Sequence, residues 1–147
     1  MSNDPAVIEE ILSTARNIAV VGMSEKPWRA SHNAGRYLAE HGYRVFPVNP
    51  ALKEVVGMPC HGSIDAADAA AREQTGQGID LVDVFRAPEH VPGIVDDVIR
   101  LKIPYLWLQD EVIDEEAVAR ARAGGVKCVQ NDCIFREHAK RMSESAS

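Results

Sequence analysis

Short apolar runs, each followed by a helical pattern, constrain this chain more than any other feature in it. Asn17-Ile18-Ala19-Val20-Val21 closes at Gly22, and Arg44-Val45-Phe46-Pro47-Val48 closes at Asn49-Pro50. Leu81-Val82-Asp83-Val84-Phe85 leads into Arg86, and Tyr105–Gln109 and Val126–Gln130 complete the series. Runs that are apolar at nearly every position suit strands covered on both faces. Between them, helical patterns begin at capping residues or prolines: Asp4-Pro5, Ser31, Ser63, Pro88 with Pro92, and Asp114. The last helix is expected over Phe135–Met142. Strand and helix alternate, so right-handed crossovers give an α/β, doubly wound, mostly parallel sheet with helices on both faces.

Two local details refine this expectation. Pro47 has no N–H to give, so its strand should carry an unpaired or bulged position. Val55–Cys60 supplies only a short, edge-like strand, and Gln74–Gly78 reads as a surface loop. The 147 residues suit a single domain, taken as residues 4–142, with 143–147 as a short disordered tail.

Composition narrows the partners. A net charge of −6 argues against general nucleic-acid or anionic-membrane binding, while leaving room for a local basic pocket. No apolar run is long enough to span a bilayer, and the acidic start is unlike a secretory signal. The three cysteines, Cys60, Cys128 and Cys133, have no CxxC spacing. That pattern fits neither a disulfide framework nor zinc, and it points to a reducing cytoplasm.

Ligands of such sheets bind beyond the carboxyl ends of the strands. The first such loop is the most informative. Gly22 allows close backbone approach, and the following helix start offers free N–H groups to an anion. The loop reads Gly22-Met23-Ser24-Glu25-Lys26-Pro27 and lacks the G-x-G-x-x-G fingerprint. It is longer than a dinucleotide turn and adds Lys26, Arg29 and Ser31. Two cations and hydroxyls suit a heavily phosphorylated ligand. The second strand ends at Asn49-Pro50, where a NAD enzyme places an acid for the ribose hydroxyls.

These segments together, with Val82–Glu89, Leu106–Gln109 and Asp132-Cys133, resemble the small bacterial CoA-binding domain proteins. That family is related to the CoA-binding domains of the succinyl-CoA synthetase alpha subunit and of ADP-forming acyl-CoA synthetases. The resemblance covers about residues 7–140. It implies a Rossmann-like sheet of order 3-2-1-4-5-6, whose short edge strand lies near Val56, with coenzyme A across the strand ends. By matching positions it assigns Gly22, Met23, Ser24, Lys26, Arg29 and Ser31 to the phosphates. It assigns Val48, Asn49, Pro50 and Lys53 to the adenosine part, and Phe85, Arg86 and Ala87 to the next crossing. Trp107 and Gln109, with Leu108, form the neighbouring wall. The Ala-rich segment Asp65–Gly78 departs from the family pattern.

The implied role is a CoA or acyl-CoA binding module with no catalytic residue of its own, acting as carrier, sensor or subunit beside a protein partner or a second copy. The related synthetases add a phosphorylatable histidine domain and an ATP-grasp partner, for which 147 residues leave no room. The five histidines are scattered and read as surface or helix-end residues, and Cys60-His61 as sequence neighbours that point apart. Two alternatives stay open: an NAD(P)-dependent oxidoreductase, or a thiol-redox protein in which Cys133, near a helix start, has a lowered pKa. Asp83, inside an apolar strand, needs a partner, either Arg86 or a backbone N–H.

Overall fold

The computed structural model describes residues 3–146. Strands β1 (Asn17–Val21), β2 (Arg44–Val48), β5 (Leu81–Val84), β6 (Tyr105–Leu108) and β7 (Lys127–Val129) pair in parallel in the order β2-β1-β5-β6-β7. Every residue of β1 and β5 is buried, as two-sided coverage requires. Helices α3 (Ile64–Thr75), α4 (Val91–Arg100) and α5 (Glu115–Ala123) build the core on one face, around Ala67, Val82, Val95 and Leu106. Helices α1 (Pro5–Thr14), α2 (Ala30–Glu40) and α6 (Ile134–Ala146) cover the other, around Ile11, Val20, Leu38 and Trp107. The architecture is the Rossmann-like α/β fold.

Three expected caps form. Asp4, Ser63 and Asp114 each accept a first-turn amide, from Ala6, Ala66 and Ala117. Pro92 sits in the first turn of α4, just after a single 3₁₀ turn at Pro88–His90, where its missing N–H costs no intrahelical bond. Helix α3 runs two residues past Glu73 and stops at Gly76, in the left-handed conformation at φ 80°. Helix α6 extends through Ala146, into the stretch read as a tail, and Ser147 lies outside the described residues.

The outermost strand differs from expectation. Residues near Val56 form a separate antiparallel hairpin, β3 (Glu54–Val55) with β4 (Met58–Pro59). Only His61 bridges to β2: its N–H donates to the Pro47 carbonyl and its carbonyl accepts from Asn49. Pro47 keeps register opposite Val20 but has no donor to offer outward, so the ladder cannot extend beyond that bridge. The three cysteines are free, and no helix among the described residues is long and apolar enough to cross a membrane.

Candidate functional site

Strand β1 ends at Gly22, whose φ is +87°. Its N–H donates to the Val48 carbonyl, which ties it to the end of β2. The chain leaving β5 presses on it from the other side, leaving no room for a side chain. The following loop is then fastened to α2. The Ser24 N–H donates to Ser31 Oγ at 3.0 Å, and His32 Nδ1 donates to the Ser24 carbonyl at 2.9 Å. Asn33 Nδ2 reaches the carbonyls of Pro27 and Arg29, and Asn49 Nδ2 donates to the Met23 carbonyl.

The helix starts two residues earlier than the sequence signals: Arg29, not Ser31, holds the N-cap position, without a side-chain cap. Ser31 is spent on Ser24 instead. The first intrahelical bond is Asn33 N–H to the Arg29 carbonyl, so the amides of Ala30, Ser31 and His32 precede it. Ala30 and Ser31 line a groove of about 330 Å³ together with Gly22, Ser24, Lys26, Arg29 and Phe85. Lys26 reaches over the Trp28 ring at 5.9 Å, and Trp28 itself is 74% exposed. Neither Lys26 nor Arg29 has a carboxylate partner among the described residues.

Two further grooves adjoin this one along the strand ends. One, of about 580 Å³, lies between Val48, Pro50, the start of α3 and Arg86. The other, of about 490 Å³, is bounded by Arg29, Phe85, Arg86, Ala87 and Gln109. Arg86 lines both of these grooves, Phe85 lines the second and the loop groove, and Arg86 Nη2 meets His90 Nε2 at 3.1 Å. A cavity of about 550 Å³ between α1 and α6 contrasts with these. Its Arg136 is taken by Asp110 and Asp132 and its Arg141 by Glu9 and Glu137, so both of its guanidinium groups are already paired, with Lys140 beside them.

Most residues assigned to the ligand therefore converge, but Met23, Asn49, Lys53, Trp107 and the fully buried Leu108 do not line these grooves. Met23 is fully buried and occupies the space beside Gly35, anchoring the loop under α2. Trp107 is fully buried and donates its indole N–H to the Asp132 carbonyl at 2.9 Å. Asn49 works as a bracket, holding Met23 with its amino group and the Ala51 amide with its oxygen. Lys53 is exposed in the turn before β3.

Sequence reasoning missed His32, which is buried rather than superficial, and Asn33. No periodicity marks a contact between residues six to eight apart across a loop. Asp83 has neither expected partner; the Gln109 carboxamide meets it instead. Cys133 goes against the thiol-redox alternative: burial pushes its thiol up, and the Phe135 and Arg136 amides offset that only in part. Burial likewise raises Cys60, whose Sγ donates to the Asn49 carbonyl. No cluster of metal-ligating side chains occurs among the described residues.

Comparison with known proteins shows the family and the fold. The uncharacterized protein YneT of Bacillus subtilis (strain 168) is 34% identical over 134 residues, covering 91% of this chain and 93% of its own. A hypothetical protein from Pyrococcus horikoshii OT3 superposes with a TM-score of 0.81 at 36% identity, covering 92% of this chain and 89% of its own. A dinucleotide-forming acetyl-coenzyme A synthetase of Ca. Korarchaeum cryptofilum shares the fold, with a TM-score of 0.65 at 23% identity; the match covers 83% of this chain and 27% of the synthetase. The model of the CoA binding domain family matches residues 16–139, and the chain belongs to that family.

Proposed function

We propose that this protein binds coenzyme A or an acyl-CoA across the carboxyl ends of β1, β2 and β5, as a binding module that serves as carrier, sensor or partner subunit. One observation carries the reading: a groove lined by the first turn of α2 at Ala30 and Ser31 and by two cations, Lys26 and Arg29, without carboxylate partners among the described residues. A phosphate ester brings acceptor oxygens and −1.5 to −2 charge, roughly what such a groove lacks. Arg29 supplies a fork for phosphate oxygens and Lys26 a mobile point charge. The adjoining grooves give the adenosine and pantetheine ends somewhere to lie, with Arg86 between them.

Family membership supports the ligand class. The end of β2 weighs against a nicotinamide dinucleotide, because Asn49 there is committed to the loop and no acid stands beside it. The raised thiol of Cys133 weighs against thiol-redox chemistry.

Thermal unfolding with and without ligand tests the reading. Coenzyme A at about 100 times its Kd adds about 2.7 kcal/mol. That raises the midpoint by roughly 5–10 °C for a domain of this size. A rise with NADH and none with coenzyme A would transfer the assignment to a dinucleotide.

A further inference from the structure

Strand β5, which delivers Phe85 and Arg86 to the grooves, buries a carboxyl one residue before its end. Asp83 is wholly inaccessible, in register with Val20 of β1 and Trp107 of β6. Strand alternation puts its side chain on the face of Leu81, the face covered by Met23 and Ile134. All these neighbours are uncharged. Among the described residues no titratable or charged group of the covering elements bonds to Asp83: His32 is engaged with Ser24, Asp132 with Arg136 and the Cys133 amide, Glu137 with Arg141, and His138 with Tyr37.

Asp83 has one partner. Its Oδ1 lies 2.5 Å from the Gln109 carboxamide, and its Oδ2 meets nothing. The two ends of a carboxamide have the same shape, so the pair has two arrangements. An ionised Asp83 accepts from Nε2. A protonated Asp83 donates its hydroxyl to Oε1. Burial with no counter-charge favours the neutral acid and pushes its pKa up to about 7.

The two arrangements differ in what Gln109 offers the groove it helps to line with Arg29, Phe85 and Arg86. With Asp83 ionised, the carbonyl end is left for a ligand; with Asp83 protonated, the amino end is. Phosphate and acyl carbonyl oxygens are acceptors and need the amino end. An ionised Asp83 would also repel a polyanion bound above it. We propose that Asp83 is a positioning residue whose proton turns the Gln109 amino group toward a phosphate- and carbonyl-bearing ligand, so that binding takes up a proton. The inference rests on the coenzyme A reading of the same grooves.

Calorimetric titration of the full chain with coenzyme A, in buffers of different ionisation enthalpy at pH 7.5, measures proton uptake without any substitution. The expected result is uptake of a large fraction of one proton, and a Kd that weakens as pH rises above about 7, by up to tenfold per pH unit. Asp83→Asn places a permanent donor against Gln109 Oε1. It should bind coenzyme A as tightly as the wild type does at pH 6, with uptake reduced to that of the ligand's own phosphate. The carboxyl ¹³C shift of Asp83 in the wild type gives a second measure, and it should move to the protonated value on saturation. Equal uptake and equal pH profiles in the two proteins, or an Asp83 shift that stays at the ionised value with ligand bound, would overturn the proposal and leave the coenzyme A reading standing. Failure of the wild type to bind coenzyme A at any pH would overturn that reading itself.

Discussion

The Phe85 carbonyl oxygen stands 2.7 Å from the position that a Cβ on Gly22 would occupy, and Arg86 Cδ stands 3.0 Å from it. The ends of β1 and β5 thus meet through bare backbone, and the groove floor depends on that contact. Gly22→Ala adds a steric clash to a positive φ that L-residues adopt at a cost of about 1–2 kcal/mol. The expected loss is roughly 2–4 kcal/mol in urea unfolding, with coenzyme A affinity falling as well. An unfolding midpoint equal to that of the wild type would mean that the two strand ends separate freely.

On the proposed reading, Arg29 and Lys26 divide the work on the ligand's charges. A charge-assisted hydrogen bond is worth about 1.5–3 kcal/mol, so Arg29→Ala should weaken coenzyme A by roughly 10- to 100-fold. If the guanidinium grips the 3′-phosphate, dephospho-CoA loses much less. Equal losses for both ligands would place Arg29 on the pyrophosphate. Lys26→Ala should cost less, since a single ammonium lacks the paired geometry.

Substitutions beneath the loop and within the sheet should separate binding from stability. His32→Ala frees the Ser24 carbonyl and loosens the loop, so coenzyme A binding should drop several-fold. Trp107→Phe removes the bond to the Asp132 carbonyl and should cost about 1–2 kcal/mol of stability. It should leave the Kd for coenzyme A unchanged, and a large change there would return Trp107 to the ligand wall.

Stability should vary with pH through two groups, the buried Asp83 and the half-buried His138, acting in opposite directions. Asp83 is raised from 3.8 to about 7 on folding, so the folded chain holds a proton that the unfolded chain releases. Its contribution is complete below about pH 4 and declines as pH rises toward 7, by about 4 kcal/mol at most. Asp83→Asn should therefore be more stable than the wild type at pH 8, with the difference shrinking at pH 5. His138 is lowered by burial and by the charge of His41, so its contribution is lost as pH falls below 6.5. Urea unfolding of the wild type and both single variants, Asp83→Asn and His138→Gln, at pH 5, 6.5 and 8 checks both signs.

The sheet and the caps were legible in the sequence because they are local. Apolar runs such as Ile18–Val21 declare strands, and Asp4, Ser63 and Asp114 each close a bond within the next few residues. The convergence of Gly22, Ser24, Lys26, Arg29 and Ser31 was legible because they share one loop and one helix start. What stayed hidden depends on contacts between segments. Ser31 looks like a cap, but its hydroxyl faces Ser24 seven residues back. Asp83 and Gln109 meet only because β5 and β6 are adjacent, and the solvent exclusion that raises Cys133 belongs to the packed fold.

The margins of the sheet have a consequence for how copies of this chain behave when crowded together. At β2, the proline and the lone bridge at His61 leave a newcomer no continuous ladder to join. Past β7, the Asn3 carboxamide occupies both the N–H and the carbonyl of Gln130, and Arg122 takes the Cys128 carbonyl. Each border is sealed with side chains or blunted by a missing donor, so templated strand addition, the usual first step toward fibrils, finds no run of vacant hydrogen-bonding groups on either side.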